Sequence, residues 1–158
     1  MSRQNFDRLD LSILNMLAEN ARKPYLEISR ECGVSGAAVH QRIQRLTANG
    51  IIQGSRCLIN PSSMGYETCA FVGIILREPD QYQQMIDYLE HCPEIVECYF
   101  TSGQYDILVK LYARNNDHLL HLLQDLQSLG LARTETLISF KQVFVRQVPI
   151  SKPEKENK

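Results

Sequence analysis

No apolar run in the 158-residue chain approaches the roughly 20 residues that a membrane-spanning helix needs. The opening stretch MSRQNFDRLD lacks the apolar core of a signal peptide. No Cys-x-x-Cys pair occurs among Cys32, Cys57, Cys69, Cys92 and Cys98, and an odd number of cysteines cannot all pair within one chain. A membrane span, secretion and a disulfide framework are therefore not expected, and the cysteines read as reduced, mostly buried thiols of a cytoplasmic protein. Phosphate loops, His-Glu-x-x-His zinc sites and nucleophile elbows are also missing. His118 and His121 can share one side of a helix, but no carboxylate or thiolate stands at matching spacing, so no metal site is expected. Cys92 and Cys98 flank Pro93, a redox-capable arrangement for which buried filler is the simpler reading. No residue presents itself as catalytic, and no cofactor is implied.

One further absence is local. Residues 34–50, VSGAAVHQRIQRLTANG, contain no acid at all. At the helical period Val39, Ile43 and Leu46 form an apolar seam. Ala37, His40, Gln41, Gln44 and Ala48 lie on the other side, flanked by Arg42 and Arg45. Ser35 suits the N-cap and Gly50 suits the stop. A surface helix without carboxylates suits a polyanion, because an Asp or Glu there repels phosphate. Upstream, residues 7–19 place Leu9, Ile13, Leu14 and Leu17 on one stripe, with Asp7 or Asp10 as cap. Pro24 suits the first position of a second helix that turns Leu26 or Tyr25, Ile28 and Cys32 inward. Gly33 ends it, just before Val34 and the Ser35 cap. Helix, connection, helix, tight glycine turn and helix make a helix-turn-helix, whose last helix enters the DNA major groove.

The net charge of −1 is unevenly spread. Residues 1–60 hold eight Lys and Arg against five Asp and Glu, and residues 61–158 hold nine against thirteen. A basic front and an acidic back indicate two units with different partners. Past Gly50, two β-prone segments around Gly54 read as a short hairpin, or as a strand leaving the domain. Arg56 there suits either a wing-like phosphate contact or a solvated strand. Asn60-Pro61 marks the boundary between a domain of residues 1–60 and one of residues 61–150, with 151–158 as a charged tail.

The second unit reads as βαββαβ. Residues 68–76 form a strand apolar on both faces, followed by a helix with Tyr82, Met85, Ile86 and Leu89 inward. Strands over 95–101 and 107–113 flank the turn Ser102-Gly-Gln-Tyr-Asp. A helix with Leu119, Leu122, Leu123 and Leu126 inward leads to a long strand over 134–148. The fold class is α+β: a winged-helix-like helix-turn-helix followed by a ferredoxin-like domain. Two helices cover only one sheet face. Phe71, Ile75, Tyr99, Ile107, Val109, Leu111, Ile138 and Phe140 suggest more apolar surface than that face needs, so a second chain is expected on the other.

The segments LDLSILNML, EISRECGVS, AVHQRIQRLTANGII, the GQYD turn and GLARTET together resemble the Lrp/AsnC, or feast/famine, regulators over Leu9 to Phe144. The resemblance implies a DNA-binding transcription regulator whose ferredoxin-like domain dimerises through its sheet and assembles further, to an octamer. It also implies an amino-acid effector bound between subunits. On this reading Ser35, Gly36, Ala37, His40, Gln41, Arg42 and Arg45 face double-stranded DNA. Arg42, however, lies close enough to the seam to brace the fold instead. A two-fold dimer would read a pseudo-palindromic site. The effector would lie at Gly103, Tyr105, Asp106, Thr134 and Thr136, which match the family's effector region.

These residues also make chemical sense. A free amino acid is a zwitterion, so its ammonium wants a carboxylate and its carboxylate wants donors. Asp106 offers the first, the threonine hydroxyls offer the second, and Gly103 permits close approach. The same residues suit local roles: Gly103 making a turn, Asp106 capping it, the threonines simply forming strand. Two other functions fit the same fold. One is a sirohaem-decarboxylase-like enzyme, which needs a basic pocket bearing histidine, and His40, His91, His118 and His121 form no evident cluster. The other is an architectural DNA binder with no effector.

Overall fold

The computed structural model describes residues 6–150, so the expected charged tail lies outside the described residues. The chain divides into two compact units between Cys57 and Leu58, just ahead of Asn60-Pro61. The described residues from Val145 onward group with the first unit, and Leu58–Phe144 form the second.

The first unit holds α1 (Arg8–Glu19), α2 (Tyr25–Cys32) and α3 (Gly36–Ala48). Asp7 caps α1 through a reciprocal box: its carboxylate accepts the Asp10 N–H at 2.9 Å, and the Asp10 carboxylate accepts the Asp7 N–H at 3.2 Å. Pro24 is the N-cap of α2 rather than its first residue. Gly33 takes a left-handed conformation at φ 66°, the cheapest way to turn sharply into α3. Ile13, Ile28, Val39 and Ile43 form the core, with Leu9, Met16, Leu17 and Cys32 against it. Tyr25 and Leu26, expected to supply one inward residue, are both exposed; Ile28 and Ser29 are the buried residues of α2. The strand or hairpin expected around Gly54 is not formed. Residues 53–60 adopt no regular element, and Leu58 is 99% exposed. β-propensity there finds no neighbouring strand to complete a ladder.

The second unit is a four-stranded antiparallel sheet in the order β2-β3-β1-β4, with β1 (Thr68–Ile75), β2 (Ile95–Phe100), β3 (Ile107–Ala113) and β4 (Arg133–Ser139). Helices α4 (Gln81–His91) and α5 (Asn116–Ser128) cover one face. The expected inward residues Met85, Leu89, Leu119, Leu122 and Leu126 are buried there with Ala70, Val72, Ile74, Ile107, Val109 and Leu111. Strand β4 stops at Ser139 instead of running to Val148. Its ladder with β1 ends at the Cys69–Ser139 pair, and beyond that point the chain has no partner strand among the described residues.

The register also sorts the apolar residues expected to need a second cover. Ile107, Val109, Leu111 and Ile138 pair with or lie beside Ile74, Val72 and Ala70, and so belong to the helix-covered face. The open face instead carries Phe71, Leu108, Tyr99, Tyr112 and Leu137 around Lys110. Lys110 is only 9% exposed, bonded to Glu97 at 3.1 Å and standing 6.0 and 5.7 Å from the Phe71 and Tyr112 ring centroids. The chain beyond β4 leaves Phe140, Val143 and Phe144 exposed.

Candidate DNA-reading helix and effector turn

Helix α3 begins where Ser35 accepts the Ala38 N–H at 3.2 Å. Val39, Ile43 and Leu46 are buried, so the helix has a fixed rotation and a defined outer side. Ser35, Gly36, Ala37, His40, Gln41, Gln44 and Arg45 are exposed on it. The His40 ring lies 6.0 Å from the ring of exposed Tyr25, tilted by 55°, which adds an aromatic from α2 to this surface. The sequence pattern offers Tyr25 only as an inward residue.

The two arginines face a residue that the sequence pattern marks only as a cap. Asp10 is fully buried. Its carboxylate accepts Arg45 Nη2 at 2.7 and 2.6 Å and Arg42 Nη1 at 3.2 Å. Arg42 Nη1 also donates to Asp7. Hydrogen bonds to Asp7 and then Asp10 hold the Arg42 guanidinium charged. The Asp7 carboxyl is held below its ordinary value, first by the Asp10 N–H and then by Arg42. Arg42 and Arg45 therefore tie α3 to α1. Neither is used up by this: the side chains stay 30% and 49% exposed, and each uses one terminal nitrogen on partners among the described residues. Spacing carries one usable signal, since Asp10 lies three residues before Ile13, the other buried residue of α1.

In the second unit, the segment between β2 and β3 is tightly tied. Thr101 Oγ1 donates to the Tyr105 carbonyl at 2.6 Å, and the Thr101 N–H donates to the Asp106 carbonyl at 3.1 Å. The Asp106 N–H donates to the Ile74 carbonyl at 2.9 Å, and its Oδ2 accepts the Leu76 N–H at 2.8 Å. Asp106 thus joins the start of β3 to the end of β1, leaving Oδ1 without a partner among the described residues. It lines a cavity of about 410 Å³ with Leu76, Arg77, Glu78, Pro79, Tyr82 and Phe100. Gly103 is exposed, its φ is not left-handed, and nothing lies within 4 Å of where a Cβ would stand. The turn itself does not demand glycine there, but the open space allows close approach.

The remaining candidates separate. Thr134 and Thr136 stand opposite Ile74 and Val72, half-buried on the helix-covered face. Tyr105 goes to the other face, against Gly73, where an added Cβ would sit 2.5 Å from its ring. Gly73 pairs with Glu135, and the Tyr105 phenol is pushed up by desolvation and then by its hydrogen bond to that carboxylate. Asp106 is thus joined by Leu76, Arg77, Glu78, Pro79, Tyr82 and Phe100, residues that the sequence alone gives no reason to place at the site.

No group of three or more potential metal ligands occurs among the described residues. His118 Nε2 lies 3.7 Å from Glu94, away from the Asp106 cavity, which has no histidine in its lining. All five cysteines are free; Cys32, Cys69 and Cys92 are half-buried while Cys57 and Cys98 are exposed, so they are not mostly buried as expected. No helix among the described residues is long and apolar enough to cross a membrane.

Comparison with known proteins accounts for both units. Residues 6–53 match a winged helix-turn-helix DNA-binding family, and residues 69–149 match the Lrp/AsnC ligand binding domain. Together they define a transcription regulator built from a DNA-reading head and a ligand-binding domain. The regulatory protein AsnC of Haemophilus influenzae is 36% identical over 151 residues, covering 91% of this chain and 97% of that protein. The solved structure of Escherichia coli AsnC is 35% identical, with a TM-score of 0.85 over 92% of this chain and 99% of that one. A feast or famine regulatory protein from Mycobacterium tuberculosis, solved in complex with L-methionine, is 28% identical with a TM-score of 0.86, over 93% of this chain and all of that one. The chain belongs to the Lrp/AsnC family of transcriptional regulators.

Proposed function

We propose that this protein binds pseudo-palindromic double-stranded DNA as a cytoplasmic homodimer that assembles further, to an octamer, and that a free amino acid controls it. Residues Ser35, Gly36, Ala37, His40 and Gln41 meet the DNA, with the outward nitrogens of Arg42 and Arg45 on phosphate. Gln41 is the base reader, since its amide suits adenine. The observation that carries the effector half is Asp106: its N–H is bonded to Ile74 of β1 and its Oδ2 to the Leu76 N–H just beyond, so its carboxylate lines a cavity of about 410 Å³ without free rotation. A preorganised carboxylate is what an ammonium needs. Thr134 and Thr136, on the same sheet face as Ile74, are supporting donors, and Gly103 gives the ligand room. Tyr105 is assigned to shaping the turn from the other face.

The open face around Phe71, Tyr99 and Leu137, together with exposed Phe140, Val143 and Phe144, supports association of copies. A sirohaem-type enzyme is not favoured, because no histidine lines the cavity. The test is calorimetry of the full chain after a thermal-shift screen of the twenty amino acids. Asp106→Asn keeps shape and removes charge, and charge-assisted bonds are worth about 1.5–3 kcal/mol. Affinity should fall roughly tenfold to a hundredfold, at about 1.4 kcal/mol per decade. DNA binding without effector should stay at the wild-type level. Unchanged ligand affinity would assign Asp106 to the turn alone.

A further inference from the structure

The Asp106 cavity has a chemical character of its own. Tyr82 from α4 and Phe100 from the end of β2 meet edge to face, with centroids 5.0 Å apart and planes at 76°. Phe100 is 72% exposed, a large apolar surface that the unit leaves in water. Leu76 and Pro79 extend the apolar wall, so four of the seven lining residues present carbon surface. The charged groups are Asp106, Glu78 and Arg77. Backbone N–H groups of Arg77 and Glu78 donate to Gln81 Oε1 at 3.2 and 3.4 Å, which fixes this stretch against the start of α4. The Arg77 guanidinium has no partner among the described residues.

We infer that Tyr82 and Phe100 determine specificity, and that the effector is an L-amino acid with an apolar side chain of aliphatic, thioether or aromatic type. The inference rests on the amino-acid reading of this site. The α-ammonium goes to Asp106 Oδ1 and the α-carboxylate to Arg77. The side chain then lies over the Tyr82–Phe100 pair and displaces water from it. An acidic side chain meets two carboxylates, Asp106 and Glu78. A side-chain amide would be placed against aromatic carbon with only Glu78 to accept from its N–H groups and no donor for its oxygen, which is costly when water is excluded. A basic side chain loses its hydration shell over the same rings, and Glu78 and the ring faces return only part of that cost.

The experiment is calorimetry of the full-length protein with L-leucine, L-methionine and L-phenylalanine against L-asparagine, L-aspartate and L-lysine. The best apolar ligand should bind at least about tenfold more tightly than any of the polar three, the discrimination expected from burying one apolar side chain. Phe100→Ala should weaken that ligand by about tenfold or more, and Phe100→Leu should recover most of the loss. Phe100 is exposed, so these variants keep the fold, which circular dichroism checks. Tighter binding of asparagine, aspartate or lysine, or an unchanged affinity in Phe100→Ala, overturns the specificity assignment while leaving the amino-acid reading intact. Absence of binding by all six and by the remaining amino acids would instead remove the amino-acid reading itself.

Discussion

Replacing Asp10 by alanine tests how the DNA-reading helix is held. The carboxylate is fully buried and receives three kinds of donor: the Asp7 N–H, Arg42 and Arg45. Loss of the capping-box bond costs about 1 kcal/mol. Each charge-assisted bond is worth about 1.5–3 kcal/mol when both partners are dry. Here the guanidiniums are 30% and 49% exposed, so water replaces much of what they lose and the pair terms are discounted. The variant also escapes the desolvation cost of a buried charge. A net loss of about 2–4 kcal/mol follows from these terms. A unit of this size holds about 3.5–10 kcal/mol in total, at roughly 0.05–0.15 kcal/mol per residue. Asp10→Ala should therefore remove a large share of the first unit's stability and leave the second untouched. The two units preclude a single two-state melt, so hydrogen exchange resolved by peptide is the right assay. Amides of α1 and α3 should lose protection while β1 and β3 keep theirs. Asp10→Asn, which retains an acceptor, should lose about half as much. A loss below about 0.5 kcal/mol in Asp10→Ala would show that the network is worth no more than a surface pair, refuting the brace.

Asp7 supplies a pH dependence. Its folded value lies below the ordinary 3.8, so its contribution is complete above that value and is lost as the pH falls through the lowered one; acid titration of α1 exchange should show this, and Asp7→Asn should abolish it. For DNA, Arg45→Ala should weaken binding and reduce the salt slope by about 0.9 for each phosphate that is no longer neutralised. If neither Arg45→Ala nor Arg42→Ala changes the slope, both arginines serve the fold alone. Gly73→Ala should cost about 1–3 kcal/mol by overpacking against Tyr105, and Tyr105→Ala should suppress most of that cost in the double variant, as measured by denaturation followed in the second unit.

The parts of the fold that are legible in the sequence are those written in local chemistry. Ser35, Gly33 and the Val39, Ile43, Leu46 seam specify α3 almost without reference to the rest of the chain. The leucines of α5 do the same. The parts that are not legible depend on partners distant in sequence. Residues 53–60 and 140–148 have strand-forming composition, yet a strand exists only where a neighbour completes its ladder. In β1 both faces are apolar, so alternation cannot say which face the helices take, and only the register does. Asp10 reads as a cap because a carboxylate near an N-terminus ordinarily is one. Its second role appears only when α3 brings two guanidiniums to it across more than thirty residues. At the turn proposed to hold the effector, Asp106 is legible by charge, but the residues that line its cavity come from the β1–α4 connection, the start of α4 and the end of β2.

Gly73 shows why a site residue need not look like one. It lies in the interior of a strand, where glycine weakens packing and adds no side chain. Its φ is not left-handed, so the backbone does not require it. What requires it is Tyr105, whose ring occupies the place of the missing Cβ. Tyr105 and Asp106 are consecutive, and as strand-like neighbours they depart to opposite sides. One is seated on the open face beside Glu135, and the other is bonded to the Leu76 N–H at the cavity. The turn is therefore clamped from both faces of the sheet at once. Loosening the Tyr105 seat frees one of two clamps on the carboxylate's backbone, so a change made on the open face reaches Asp106 through a single peptide unit. Gly73 then matters to the cavity without lining it, as a residue that keeps space vacant for the ring that holds the turn.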